Sequence, residues 1–315
     1  MSVYRRRRRR ALLGVLVAVL LSCTAFAAAG HPPSDKVHTD ESAARWPQQG
    51  QAALVIGDGR VAASPDEQPV AIASLAKVMT AYLVLERHPL GGAQAGFTVT
   101  VSGAEAQAAA QDRAEGQSVV AVAAGEQLSE RQLLEALLIP SGNNIAEMLA
   151  TQVAGSETGF VATMNAEARA LGMQHTTYTD PSGFDPSTVS TAADQLRLFR
   201  QAIRFPVFRQ IASMASVTLP VAGTLTNFNP LVADGYAGKT GSDSAAGGCL
   251  AFVTGVTVGG RRQIAVGVVL GQGQGSATPA LLAAASEAAE QLIESVVPEI
   301  RARTISMARA PGGRG

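Results

Sequence analysis

The stretch Ala73-Ser74-Leu75-Ala76-Lys77-Val78-Met79-Thr80-Ala81-Tyr82-Leu83 predicts a helix around which the rest of the fold is arranged. Its large apolar residues recur at the spacing i, i+3, i+4, i+7 and i+8, which is typical of an amphipathic helix. Small residues fill the other side, so we expect the helix to be buried on most sides. Ser74 and Lys77 interrupt the apolar surface one turn apart and share a face. A hydroxyl, an amine and free backbone N–H groups at a helix start form a candidate acyl-transfer site.

The use of lysine in this chain supports a chemical role for Lys77. There are three lysines, Lys36, Lys77 and Lys239, against twenty-two arginines. Arginine would serve as a solvated cation, as it does elsewhere in the chain, whereas lysine has a pKa that burial can lower until the amine acts as a base. The four-residue pattern alone leaves a second interpretation open, in which Ser74 is an N-cap and Lys77 a surface residue.

Length and composition indicate a globular protein with one large domain or two small ones, since the chain has 315 residues, 47% of them apolar and 16% charged. The formal net charge is zero, but six arginines lie in residues 1–30. The remainder carries 19 basic and 25 acidic residues. Such a mildly acidic body gives no indication of nucleic-acid binding.

The N-terminus has the pattern of an export signal. Arg5 to Arg10 form a basic segment, residues 11–21 are apolar and uncharged, and Ala25-Phe26-Ala27 fits a cleavage site. Two other interpretations stay open, a lipoprotein box at Cys23 and an uncleaved membrane anchor over residues 11–30. All three place the body of the protein outside the cytoplasm.

The order of predicted elements indicates an α+β domain at residues 50–297, after a signal or anchor (1–30) and a polar linker (31–49) and before a short basic tail (298–315). Predicted strands cover 52–56, a segment from 60, 97–101, 118–122, 217–219, 249–258 and 262–270, the last two joined as a hairpin by two glycines. Predicted helices cover 73–83, a segment from 130, 143–153, 158–171, 192–203 and 279–296. Capping boxes are predicted at 129–132 and 191–194. We expect a helical cluster packed on an antiparallel sheet.

Two further short motifs accompany the Ser74–Lys77 pair. Ser141-Gly142-Asn143 lies in a loop between two predicted helices, and Lys239-Thr240-Gly241 leads into the predicted hairpin. Each motif is weak alone. A Ser-Gly-Asn loop is most often a plain turn, and Lys-Thr-Gly is common enough by chance. The patterns S-x-x-K, S-x-N and K-T-G each occur once and in this order, and two of the three lysines lie within them.

This order of motifs resembles the penicillin-interacting serine acyl transferases, and most closely the low-molecular-weight penicillin-binding proteins that are D-alanyl-D-alanine carboxypeptidases of peptidase family S11. The resemblance runs from about residue 52 to 296. It includes Asp180-Pro181-Ser182-Gly183-Phe184, similar to the Asn-Pro-x-Gly-Leu loop of that family but with Phe184 where leucine is usual. It implies the transpeptidase fold shared by penicillin-binding proteins and β-lactamases.

The resemblance also implies a role for each motif residue. Ser74 is the nucleophile, neutral Lys77 takes its proton, Ser141 relays a proton to the leaving amine, and Asn143 orients Lys77 and bonds the substrate amide. Lys239 and Thr240 bind the substrate carboxylate, Gly241 lets the substrate approach the strand edge, and the N–H groups of Ser74 and Ser242 form the oxyanion hole. For Lys77 to work at neutral pH its pKa must fall by roughly 2–3 units, which we attribute to burial and to the charge of Lys239.

The expected partners are a peptidoglycan stem peptide as substrate and β-lactams as covalent inhibitors, with membrane contact through residues 1–30 if they are kept. No cofactor, metal or nucleic acid is expected. The body contains Cys249 as its one cysteine, so no structural disulfide is expected either.

Four alternatives to this interpretation are less well supported by the sequence. A class A β-lactamase needs a Glu-x-x-x-Asn stretch to drive deacylation, yet Glu147, Glu157 and Glu167 are followed four residues later by Thr, Val and Leu. A non-catalytic cell-wall-binding protein would be favoured by loss of Ser74 or Lys77, and both are present. A Ser-His-Asp hydrolase or a metal site is disfavoured because the chain has four histidines, two of them in the predicted linker.

Overall fold

A five-stranded antiparallel sheet forms the framework of the protein in the computed structural model, which describes residues 44–297. Its strands follow the order β2-β1-β11-β10-β9 and are β1 (Gln51–Ile56), β2 (Ala62–Ala63), β9 (Ala237–Asp243), β10 (Gly247–Val258) and β11 (Arg261–Gln272). The central hairpin of β10 and β11 turns at Gly259 and Gly260, both with positive φ, as a tight two-residue turn requires. β1 pairs with β11, with Gln51 opposite Leu270.

Three small two-stranded ladders join the remaining strands: β3 with β6, β4 with β5, and β7 with β8. These strands are β3 (Val70–Ala71), β4 (Thr98–Thr100), β5 (Gln127–Ser129), β6 (Val189–Ser190), β7 (Ser216–Leu219) and β8 (Gly223–Thr226). The helices are α1 (Ala76–Arg87), α2 (Gly103–Ala114), α3 (Glu130–Leu138), α4 (Asn143–Ala154), α5 (Glu157–Ala170), α6 (Ala192–Ala202), α7 (Pro206–Ala212) and α8 (Thr278–Val296). Short 3-10 turns cover Ala73–Leu75 and Pro230–Asp234.

Both faces of the sheet are covered, because the first eight residues of β10 and the last eight of β11 are all buried. A methyl group on Gly248 would meet the backbone of Leu281 in α8, whereas one on Gly241 would meet the backbone at Ser74. Gly248 pairs with Ser242, the neighbour of Gly241, so these two glycines face opposite sides of the sheet. Helix α8 therefore covers one face, and the helical cluster that begins with α1 covers the other.

Helix α1 is buried on every side over its first ten residues, as its small and apolar residues predict. It lies at the centre of the helical cluster and contacts α3, α4, α5 and α6. The predicted helix bounds agree with the structure to within a few residues. The observed α+β architecture, with a helical cluster packed on an antiparallel sheet, confirms the predicted fold class.

One predicted strand is wrong. Residues 118–122 form a loop, because their backbone groups bond to the start of α4 instead of to another strand. The capping box at Ser129 and Gln132 is complete, but at Thr191 only half of the predicted box forms. There the Asp194 carboxylate accepts hydrogen bonds from residues 175 and 176 and from Arg197 instead of from the N-cap backbone.

Most of the predictions for the two ends of the chain concern residues outside 44–297. The predicted signal segment, residues 31–43 of the predicted linker and the predicted tail lie outside the described residues. The last residues of the predicted linker contact the domain, since Arg45 N donates to Ser295 Oγ (3.0 Å) and Gln272 Nε2 donates to Gln49 O (2.7 Å). Within residues 44–297 no helix has the length and apolar character needed to cross a bilayer. Cys249 is a buried free thiol.

Candidate active site

The candidate nucleophile lies at the junction between the sheet and the helical cluster. Ser74 is in the 3-10 turn that leads into α1, and its side chain is partly exposed although the residues on both sides are buried. Ala73 has φ of +45°, a conformation that costs a non-glycine residue on the order of 1–3 kcal/mol. Gly183 lies directly against the carbonyl of Ala73, where a methyl group would not fit. This contact from a distant loop holds the strained turn in place.

The Lys77 amine is surrounded by three oxygen atoms. Its Nζ lies 2.7 Å from Ser74 Oγ, 2.7 Å from Asn143 Oδ1 and 3.0 Å from the carbonyl oxygen of Ser182. The three acceptors match the three N–H groups of an ammonium, and the residue has no exposed surface. When Lys77 is neutral, the same 2.7 Å contact allows its lone pair to accept the Ser74 proton.

Burial lowers the pKa of Lys77 from 10.5 to about 7, although the carboxylates of Asp180 and Glu147 act in the opposite direction. The expected drop is therefore present, and burial is its main source. The pKa of Lys239 is also lowered well below 10.5, by burial first and by the charge of Lys77 second.

The second motif faces the third across the site. Lys239 Nζ donates to Ser141 Oγ (2.9 Å) and to the carbonyl of Thr240 (2.7 Å), and Lys239 is only 1% exposed. Ser141 has φ of +62°, so it is a second strained non-glycine residue in the site. Asn143 begins α4 and contributes its side-chain oxygen to Lys77. The structure thus brings together Ser74, Lys77, Ser141, Asn143 and Lys239.

Strand β9 brings the remaining predicted residues to the same place and leaves one edge of the sheet open. A methyl group on Gly241 would lie 2.9 Å from Ile72 O and 3.1 Å from Ser74 N. The sequence predicted that Gly241 makes room for substrate. The structure shows a more immediate reason for a glycine here, which is the close approach of β9 to the turn that holds Ser74. Thr240 is buried and Ser242 is partly exposed beside it.

The loop over residues 180–184 contributes groups that sequence reasoning did not assign. The Asp180 carboxylate accepts from Ser182 N (3.1 Å), Ser182 Oγ (2.5 Å) and Phe184 N (3.0 Å), and its other oxygen accepts from Thr188 Oγ1 (2.9 Å). Thr80 Oγ1 donates to Pro181 O (2.6 Å), which ties the loop to α1. The loop is thereby held with the Ser182 carbonyl toward Lys77. The Asp-Pro-Ser-Gly turn signal located the loop, but it carried no information about a catalytic contact.

Glu147 is the carboxyl group of α4 and lies one turn after Asn143. Its pKa is raised to about 7, first by burial and then by the nearby carboxylates of Asp112, Glu157 and Asp180. Within the described part of the chain, no carboxylate hydrogen-bonds to Ser74 or Lys77 and no group of three or more metal-ligating side chains is positioned to hold a metal ion. The 2.7 Å contact between Ser74 Oγ and Lys77 Nζ is a geometry in which an amine can activate a serine hydroxyl.

The sequence and the fold resemble those of known proteins. The profile of the Peptidase_S11 family, described as D-alanyl-D-alanine carboxypeptidase, matches residues 43–273. The D-alanyl-D-alanine carboxypeptidase DacB2 of Mycobacterium tuberculosis is 34% identical over 228 residues, which are 69% of this chain and 73% of the relative. A D-alanyl-D-alanine endopeptidase of Pseudomonas aeruginosa is 34% identical over 151 residues, 48% of this chain and 45% of the relative.

Solved structures share the fold. The Streptomyces K15 DD-transpeptidase aligns with a TM-score of 0.67 at 23% identity, covering 80% of this chain and 98% of that one. A penicillin-binding protein homologue from Mycobacterium tuberculosis aligns with a TM-score of 0.64 at 29% identity, covering 86% of this chain and 96% of its own.

Proposed function

The chain belongs to the D-alanyl-D-alanine carboxypeptidase family, peptidase family S11, and we propose that it releases the terminal D-alanine of peptidoglycan stem peptides through an acyl-enzyme on Ser74. The single observation that carries this proposal is the 2.7 Å contact between Ser74 Oγ and the fully buried amine of Lys77. A lysine whose pKa is near 7 is neutral often enough at physiological pH to deprotonate a serine.

Acylation would proceed by attack of Ser74 Oγ on the carbonyl of the penultimate D-alanine while Lys77 takes the hydroxyl proton. The amide bond to the terminal D-alanine then breaks, and Ser141 would pass a proton to the leaving amine. Water hydrolyses the ester in the second half of the reaction. The N–H groups of Ser74 and Ser242 would stabilise the oxyanion, each such donor being worth roughly 2.7–4 kcal/mol.

Substrate binding would use the open edge of β9. An extended peptide could add to this edge as a further strand, and its terminal carboxylate would meet Lys239 and Thr240. Lys239 is buried, and its hydrogen-bond partners Ser141 Oγ and Thr240 O are uncharged. An incoming substrate carboxylate would therefore give it a negatively charged partner. This supports a substrate with a free C-terminal carboxylate, and a peptide ending in a C-terminal amide should be a much poorer substrate.

The surroundings of the enzyme are also part of the proposal. We place the body of the protein outside the cytoplasm, where peptidoglycan stem peptides lie, with residues 1–30 as its export signal or membrane anchor. β-Lactams would act as covalent inhibitors, because they present a carbonyl to Ser74 and a carboxylate to Lys239.

The proposal is tested by labelling the protein with a fluorescent penicillin. We expect label on the tryptic peptide that holds Ser74 and none in Ser74→Ala, whereas Ser276→Ala, a matched change at an exposed serine, should label normally. Undiminished labelling of Ser74→Ala would refute the role of this serine.

Labelling does not distinguish a carboxypeptidase from a β-lactamase, because both form an acyl-enzyme on a serine. A second assay separates them. Release of D-alanine from a D-Ala-D-Ala peptide should be far faster than hydrolysis of penicillin by the same enzyme. A penicilloyl group keeps its ring amine tethered in the path of water, and the sequence lacks the Glu-x-x-x-Asn stretch that drives lactamase deacylation. Rapid penicillin turnover without D-alanine release would reverse the assignment.

A further inference from the structure

The loop over residues 117–120 is fastened to the start of α4. Asn143 N donates to Ser118 O (2.7 Å), and the Asn144 side chain accepts from Val120 N (3.1 Å) and donates to Val120 O (3.0 Å). A methyl group on Gly142 would lie 2.9 Å from a methyl of Val120, which shows how closely the loop lies against the Ser141 turn. This clamp places the first residue of the loop, Gln117, beside the active-site amide.

Gln117 connects that amide to a carboxylate. Its Oε1 accepts from Asn143 Nδ2 (2.8 Å), and its Nε2 donates to Asp112 Oδ1 (3.3 Å). An ionised carboxylate can only accept, so the nitrogen side of the Gln117 amide must face Asp112. The oxygen side is then left for Asn143, whose own oxygen is in turn left for Lys77.

We propose that Gln117, directed by Asp112, is a positioning residue that fixes the amide orientation of Asn143 and so presents a hydrogen-bond acceptor to Lys77. The inference rests on the proposed function for its catalytic meaning. Its physical content is that one chain of hydrogen bonds, from Asp112 through Gln117 and Asn143, ends at the amine that activates Ser74.

Loss of Gln117 would remove the group that favours the present orientation of the Asn143 amide when Lys77 is neutral. In the flipped orientation an N–H group faces Lys77 Nζ. That N–H would occupy the lone pair that must accept the Ser74 proton, and it would repel the ammonium that forms afterwards. We therefore expect slower acylation together with a lower pKa of Lys77.

The direction of the pKa change separates this role from a structural one. If the variant merely loosened the loop, water would reach Lys77 and its pKa would rise toward 10.5. The charged groups that face Lys77 are Asp180 from the 180–184 loop, Glu147 from α4 and Lys239 from β9, and none of them is altered.

The test compares three variants by the pH dependence of acylation with a fluorescent penicillin. Gln117→Ala should lower the high-pH rate about tenfold to a hundredfold, the range for one lost hydrogen bond to a charged group, and shift the midpoint to lower pH. Gln117→Glu should keep the high-pH rate within about threefold of the wild type, because an ionised carboxylate can only accept and so still holds the Asn143 N–H group on this side. Arg113→Ala removes a different hydrogen bond to the same loop, to Val119 O, and should behave as the wild type.

Three results would overturn the proposal: wild-type rates in Gln117→Ala, a midpoint that moves to higher pH in Gln117→Ala, or a high-pH rate in Gln117→Glu that is as low as in Gln117→Ala. An NMR titration of the Lys77 side chain in the unliganded protein decides the question without reference to activity. A lower pKa in Gln117→Ala supports the proposal and an unchanged or higher one refutes it. Failure of the wild type to label at Ser74 would instead refute the proposed function.

Discussion

The pH dependence of acylation follows directly from the environment of Lys77. If neutral Lys77 is the base, the rate constant for acylation of Ser74 should rise with pH and level off above the pKa of this lysine. That pKa is about 7. The rate should therefore fall about tenfold for each unit below pH 7 and change little between pH 8 and 9.

The lowered pKa determines how much of Lys77 is neutral at pH 7. At pH 7 a lysine with a pKa of 10.5 is neutral in about one molecule in three thousand, and Lys77 with a pKa of about 7 is neutral in about half. The lowered pKa therefore increases the amount of available base by about a thousandfold, and the pKa change itself corresponds to about 5 kcal/mol of preference for the neutral form. Lys77→Arg keeps a cation but removes a base that can deprotonate, so acylation should be lost at every pH up to 10.

Rapid-mixing measurements of acylation by a fluorescent penicillin, in buffers from pH 5 to 10, would provide the profile. The Ser276→Ala protein serves as a control for handling, and circular dichroism at each pH checks that the fold is intact. A midpoint near 10, or a rate that does not change between pH 5 and 8, would refute the argument that buried Lys77 is the base.

Three further predictions concern single substitutions. Gly241→Ala should slow acylation at least tenfold and lower stability by about 1–3 kcal/mol, measured by acylation rate and thermal melting, because its methyl group would meet backbone at Ile72 O and force β9 away; a normal rate would contradict this. Asp180→Asn keeps one acceptor oxygen for the Ser182 and Phe184 groups but removes a carboxylate that raises the pKa of Lys77, so the acylation rate at pH 6 should increase about two- to threefold, and a decrease would count against it. Burial raises the pKa of Glu130 to about 7, so the folded state favours its protonated form and loses that stability as the pH rises through 7. Glu130→Gln should therefore raise Tm by about 2–4 °C at pH 8 and by less at pH 5, and an equal gain at both pH values would refute the electrostatic cause.

Local patterns in the sequence were enough to predict the central helix, the hairpin and the three motifs. The apolar spacing around Lys77 predicted a buried helix, and the two glycines at 259 and 260 predicted the turn of the hairpin. The motif residues meet because strands and helices of predictable type carry them to the same junction.

Elements without such a pattern were missed. Helix α2 contains only Ala109 as a buried residue, so it has no apolar stripe, although its capping box at Ser102 and Glu105 was available as a signal. The apolar stretch at 118–122 was predicted as a strand because its composition is typical of one. Its backbone partners are the side chain of Asn144 and the N–H of Asn143, and residue type does not reveal such contacts.

The contribution of the 180–184 loop was hidden for a similar reason. The group that contacts Lys77 is the backbone carbonyl of Ser182, and every residue has a carbonyl. Only the folded position of the loop, set by Asp180 and Thr80, gives that carbonyl a role.

The pairing of β1 with β11 has a consequence for the order in which the protein can fold. The strand β1, with Gln51 opposite Leu270, pairs at once with the two-residue β2 but obtains its long partner β11 only after more than two hundred further residues have been made. Contacts so distant along the chain make folding slow, and the sheet cannot close on a nascent chain until residue 272 has left the ribosome. Strand β9, which carries Lys239 and packs against the turn that holds Ser74, belongs to the same late-completed sheet. A partly synthesised chain therefore lacks the assembled candidate site.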